Sequence, residues 1–354
     1  MAIPATWLTR LGVAWRARAN ASEGAYNLAV GEEAARERTT ELVDDVDHRG
    51  GLVGGFKGAP VAGALLAVNI GVFAAQIFLA GHARYALGMP DSVLRWLGAN
   101  ASLWTISDNR LETLVTSCFL HASILHLVLN MLVLWQVGPL LERAIGSARF
   151  FPLYLAAGIV GSASSAIWGR FFGETLSVGA SGALCGLVAA ATVVGIRTEG
   201  WGGELAVGMG RWLALFVLIG LMHALFPGIS QIDNAAHIGG AIGGAVVAVT
   251  WRRGFTYARA AQRAVLAASL GVVLAAGAVV YVRNRTDPFL FMGVAERAGA
   301  AEAAFKAGQC DRARTAIDRA IKMDPQNASL NDERRKIARE CWDPNGDRPT
   351  PRLR

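Results

Sequence analysis

SVGASGALCGLVAAATVVGI, residues 177–196, is a run of twenty residues without a charged side chain. That is the length of helix needed to cross the roughly 30 Å hydrocarbon core of a bilayer. Within it Ser181 stands in GASG, at the start of the run, where leucine or valine would be the ordinary choice. Such a serine is either a small residue that lets two helices approach closely or a reacting group.

The rest of the chain has the same character. Of 354 residues, 53% are hydrophobic and only 17% charged, against about 25% charged in ordinary soluble domains. Apolar runs predict seven spans at 59–80, 122–141, 150–168, 176–196, 212–229, 235–251 and 264–282. The expected fold is an all-α polytopic membrane protein. The chain divides into an amino-terminal segment (1–58), a six-span core (59–252), a linker with a seventh transmembrane helix (253–285) and a soluble helical tail (286–354).

Lys and Arg near the span ends set the orientation. Arg49, Lys57, Arg143, Arg149, Arg197, Arg211, Arg252, Arg253, Arg259 and Arg263 fall on one side, and Arg84, Arg95, Arg110, Arg170, Arg283 and Arg285 on the other. The larger set marks the cytoplasmic side, which puts the amino terminus inside and the tail outside. The amino terminus has no compact apolar core with a cleavage site, so the first span is expected to act as the targeting signal. A bacterial inner membrane is the expected location. The net charge of +7 follows from these span-end residues; no basic face interleaved with aromatics points to nucleic acid.

Two soluble stretches flank the core. Trp7, Leu8, Leu11 and Trp15 alternate with Arg10, Arg16 and Arg18, which reads either as a helix lying on the membrane surface or as a disordered tail. Near the other end, AEAAFKAGQCDRARTAIDRAIKMDPQNASL (301–330) spaces Ala304, Ala313, Ala316, Ala320 and Ile321 at helical intervals. It resembles one tetratricopeptide repeat, a helix-turn-helix unit. A single repeat buries its face poorly, so it either packs on a capping helix from Leu330 through Cys341 or binds a protein partner. Cys310 and Cys341 both lie in this tail, where an oxidising compartment permits a disulfide. Residues 81–121 form the longest connection between spans, a candidate functional loop.

Polar groups inside spans are costly, face the bundle interior and often mark function. In HASILHLVLNM (121–131), His126 and Asn130 are four apart and share a helix face, with His121 just over a turn earlier. Their bland reading is hydrogen bonding between helices. In NAAHIGGAIGG (234–244), Gly240 and Gly244 form a small-xxx-small pair that allows a close crossing with GASG and its Gly182. Such a crossing brings His237 to Ser181. A serine becomes a useful nucleophile when an imidazole acts as its general base, and acyl transfer needs hydrogen-bond donors for the oxyanion. Ser181 is the candidate nucleophile and His237 the base. His126, Asn130 and the Ser181 backbone N–H are the candidate donors. No Asp or Glu stands out as a third member, so a dyad is expected.

These motifs, with GPLLERAIGSARFFPLYLAAGIVGS (138–162), resemble the rhomboid intramembrane serine proteases over roughly residues 60–252. The resemblance implies a six-helix rhomboid bundle with a water-filled cavity open to the outside, to which this chain adds one span. It implies that Gly179 and His121 help shape the site, that no metal or organic cofactor is needed, and that transmembrane protein substrates are cut in or near the bilayer at small residues beside helix-destabilising sequence. The chain departs from the common pattern at two places. Cys185 replaces an aromatic residue on which the histidine ring packs, and Glu112 and Thr113 replace a Trp-Arg pair in the first loop. Three rivals are a transporter, for which no internal repeat is evident, a rhomboid-like protein that binds membrane clients without cutting them, and a purely structural scaffold.

Overall fold

A computed structural model describes residues 54–225, 232–251 and 258–342. The surface-helix reading of Trp7 to Arg18, together with Arg49, Arg252 and Arg253, lies outside the described residues. Thirteen α-helices appear in the described residues. They are α1 (Pro60–Ala80), α2 (Asp91–Trp96), α3 (Ser102–Ser107), α4 (Thr113–Thr116), α5 (Ile124–Ile145), α6 (Ser147–Phe172), α7 (Ser181–Glu199), α8 (Glu204–Leu225), α9 (Asn234–Thr250), α10 (Arg259–Thr286), α11 (Val294–Lys306), α12 (Cys310–Met323) and α13 (Ala328–Cys341). Two short antiparallel strands, β1 (Asn100–Ala101) and β2 (Leu176–Ser177), pair Asn100 with Ser177 and Ala101 with Leu176.

Six of these helices, α1, α5, α6, α7, α8 and α10, are long and apolar enough to cross a membrane. The remaining expected span, the sixth at 235–251, is α9, whose 17 residues rise about 25 Å, the lower limit for a crossing. The 28 residues of α10 exceed the expected run at both ends, because charged residues cap an apolar middle and lengthen the helix beyond the hydrocarbon stretch. α7 runs through the centre of the bundle, packed by α5, α6, α8 and α9, while α10 lies outside against α6 and α4. Val68 and Phe78 on α1, Val217 and Leu221 on α8, and Leu270 and Leu274 on α10 point outward. Outward apolar side chains are what helices facing lipid present.

In lipid, the free N–H groups at a helix start must find partners within the protein. α1 begins at Pro60, which has no N–H to satisfy. Its next two amides, from Val61 and Ala62, donate to the Glu142 carboxylate at 3.1 and 2.7 Å, and Ser147 Oγ donates to the same group at 2.6 Å. One buried carboxylate on α5 thus fixes where α1 starts and where α6 follows. At this end of the bundle Arg143 donates to the carbonyls of Lys57 and Gly55, and Arg197 to those of Ala248 and Val249.

The connection from 81 to 121 is a folded cap and not an open loop. It holds α2, β1, α3 and α4, each too short to display a hydrophobic period that sequence reading could detect. The tail forms α11, α12 and α13, and Cys310 and Cys341 are joined by a disulfide that ties the start of α12 to the end of α13. Leu330, Ile337 and Cys341 of α13 pack on Ala313, Ala316 and Ile317 of α12 in a small core. α13 therefore covers the apolar face that the helical pair could not bury alone.

Candidate active site

Ser181 is the first residue of α7, and a tight turn delivers it. Gly179 adopts φ +122°, a conformation that side chains with a Cβ rarely accept. Its N–H donates to Ser117 O at 2.9 Å, which ties the turn to the folded cap. With Ala180 as N-cap, the Ser181 amide is one of the N–H groups that a helix leaves without an intrahelical acceptor. It also lies at the positive end of the helix dipole.

His237 lies in the first turn of α9. Asp233 Oδ1 accepts from Ala236 N at 2.9 Å, and the Asp233 carbonyl accepts from His237 N at 3.1 Å. Asn234 Nδ2 donates to Gly220 O at 3.1 Å, fixing the same turn to α8. The helix then crosses α7 with backbones touching. A Cβ built on Gly240 would overlap the Gly182 carbonyl, and one on Gly244 the Gly186 carbonyl. Through this crossing His237 Nε2 comes to 2.8 Å from Ser181 Oγ. Both residues are half-buried. Cys185 is buried with a free thiol, so His237 reaches the hydroxyl without an aromatic residue at that position.

The expected donors converge on the same turn. Ser123 caps α5, its Oγ accepting from His126 N at 3.2 Å. A Cβ on Gly179 would lie 2.7 Å from both Cε1 and Nε2 of His126 and 3.8 Å from Asn130 Nδ2. Asn130 Nδ2 donates to His126 O at 2.8 Å. His121 sits behind this pair, its ring edge-on to His126 with centroids 5.2 Å apart. Its backbone is pinned twice by Gln76, which donates to His121 O at 2.9 Å and accepts from His121 N at 3.1 Å.

The structure therefore gathers Ser181, His237, His126, Asn130 and Gly179 at one place, with His121 one layer behind and Gly182, Gly240 and Gly244 at the helix crossing. Asp233 was not among the expected residues. An Asp three positions before a backbone N–H at a helix start is a capping signal, and DNAAH (233–237) carries it. Among the described residues no group of three His, Cys, Asp or Glu is placed to hold a metal ion.

Glu112 and Thr113 are also accounted for. Glu112 accepts from Arg110 Nε at 3.3 Å and from Arg283 Nη1 of the added helix α10 at 3.3 Å. Thr113 Oγ1 donates to Arg110 O at 2.7 Å and lies 2.9 Å from Thr105 Oγ1. A helix outside the six-span core thus supplies a second counter-charge, beside Arg110, for a carboxylate in the cap.

Comparison with known proteins points the same way. The rhomboid domain description matches residues 108–254. Rhomboid protease GluP of Bacillus subtilis is 38% identical over 168 residues, covering 48% of this chain and 31% of GluP. RHOMBOID-like protein 6, mitochondrial, of Arabidopsis thaliana is 36% identical over 159 residues, 45% of this chain and 49% of that protein. Rhomboid protease AarA of Providencia stuartii is 30% identical over 203 residues, 53% of this chain and 70% of AarA. This chain spans about a third to a half of the first two relatives. With most of AarA covered, and with a polytopic helical bundle carrying the expected motifs in order, the chain belongs to the rhomboid family.

Proposed function

We propose that the protein is an intramembrane serine endopeptidase that hydrolyses peptide bonds of single-span membrane proteins. The observation that carries this reading is the 2.8 Å approach of His237 Nε2 to Ser181 Oγ, which is hydrogen-bond distance for a nucleophile and its general base. His237 takes the hydroxyl proton as Oγ adds to the scissile carbonyl carbon. The Ser181 N–H, His126 and Asn130 stabilise the resulting oxyanion. His237 then gives its proton to the leaving amine, and water releases the acyl group by the reverse sequence.

A peptide bond in a transmembrane helix is shielded by its own hydrogen bonds, and in lipid those groups have no water to turn to. Substrates with helix-destabilising sequence near small residues can unwind into the site at lower cost. The disulfide in the tail favours placing the tail in an oxidising compartment outside a bacterial inner membrane, with the amino terminus in the cytoplasm.

The test is cleavage of a single-span reporter, its transmembrane segment carrying a glycine-proline break, by protein reconstituted in vesicles. Wild type is expected to cut it. Asn130→Ala is expected to cut about 10²- to 10³-fold more slowly, the usual loss for one oxyanion donor. Unchanged kinetics in Asn130→Ala would assign that side chain to helix packing, and an inert wild type would favour client binding over proteolysis.

A further inference from the structure

Beyond the core, Arg297 of α11 is fully buried, an unusual place for a guanidinium in a soluble helical segment. Its partner is 189 residues away in sequence. Nη1 and Nη2 donate to the two carboxylate oxygens of Asp108 at 2.7 and 2.6 Å, while Nε donates to Met292 O at 2.9 Å. Asp108 is the residue that closes α3. The same short helix takes two further contacts from the tail: Trp104 Nε1 donates to Met292 O at 3.2 Å and Ser107 Oγ to Lys322 O at 3.4 Å. Arg283 of α10 adds donations to the carbonyls of Asp108 and Asn109.

The other end of α3 is joined to the candidate site. Ser102 N donates to Thr175 O, and Thr175 N to Ser102 Oγ, both at 3.1 Å. Immediately before α3, β1 pairs with β2, and Ser177 of β2 is two residues before Gly179 and four before Ser181. α3 is therefore a six-residue helix with the tail docked at one end and the strand leading to Ser181 hydrogen-bonded at the other.

We propose that Arg297 is a positioning residue for proteolysis: through its buried pair with Asp108 the tail sets α3, and α3 sets the β2 strand that delivers Gly179 and Ser181. The tail is on this account a part of the catalytic apparatus and not a passive appendage. Removing one partner of a buried ion pair leaves an uncompensated charge, whereas replacing both by apolar groups of similar size is often tolerated. Arg297→Met therefore undocks the tail, and Asp108→Leu combined with Arg297→Met allows it to dock again. Displacement of a reacting group by an ångström costs up to about 10²-fold in rate.

The inference rests on the protease reading for its activity readout alone, so the experiment pairs that readout with one independent of activity. Hydrogen exchange of the full chain in detergent is measured beside the rate at which a fluorophosphonate probe labels Ser181. In Arg297→Met, exchange is expected to rise in residues 100–121 and 175–183 but not in the buried middle of α7, and labelling to slow by about 10- to 100-fold. The double variant is expected to restore both. The proposal is overturned if tail exchange rises while 175–183 stays as in wild type. It is equally overturned if exchange rises uniformly through the bundle, or if the double variant restores tail protection without restoring 175–183. An unlabelled wild type refutes the protease reading, and the exchange comparison still decides whether the tail sets the turn.

Discussion

Ser181→Ala leaves a folded chain that no longer cuts the reporter. The substitution removes one half-buried oxygen whose hydrogen-bond partner is His237 Nε2, so packing of α7 against α6 and α9 is untouched and the thermal midpoint stays within a few degrees of wild type, as for changes that open no large cavity. The loss of turnover is expected on the order of 10⁶-fold, the scale seen when the nucleophile of a soluble serine protease is removed. His237→Ala falls to a similar level. Because the two groups act as a unit, Ser181→Ala combined with His237→Ala is expected to fall no further than either alone. Additive losses would mean that the two side chains do not work on the same step, and the proposed dyad would have to be abandoned.

Gly240→Ala is expected to lower activity by a different route and to a smaller degree. A Cβ at this position would lie 2.6 Å from the Gly182 carbonyl carbon and 3.0 Å from its Cα, and backbone cannot swing aside as a flexible side chain can. α9 must then move away from α7, carrying His237 with it. A shift of about 1 Å is enough to lower the rate roughly 10²-fold, and overpacking of this kind costs typically 1–3 kcal/mol of stability. Gly271→Ala on α10 is the control, since nothing lies within 4 Å of a Cβ there. Reporter cleavage and thermal midpoints of the two variants check this. Equal activity in Gly240→Ala and wild type would show that the crossing does not set the distance between Ser181 and His237.

Much of the site was legible because it is written in helical period. The four-residue step from His126 to Asn130 and from Gly240 to Gly244 places each pair on one face whatever surrounds it, and small residues on two spans allow the crossing that unites His237 with Ser181. The cap between α1 and α5 was not legible, since helices of four to six residues carry no period to read. Arg297 was illegible for another reason. A charge in a polar segment reads as solvated surface, and only the tertiary fold brings Asp108 to it. The replacement of the Trp-Arg pair by Glu112 and Thr113 was visible as a departure, but Arg283, which answers Glu112, lies on a helix beyond the six-span core. Asp233 was a local capping signal overshadowed by the histidine four residues later.

The most direct test of the central claim needs no substrate. Detergent-purified wild type, Ser181→Ala and His237→Ala are treated with a fluorophosphonate probe, which bonds covalently to a serine activated by a general base. Labelling of wild type that vanishes in both variants is the predicted result, and it would make Ser181 a reacting group whose reactivity depends on His237. Labelling that persists in Ser181→Ala, or that is undiminished in His237→Ala, would contradict it.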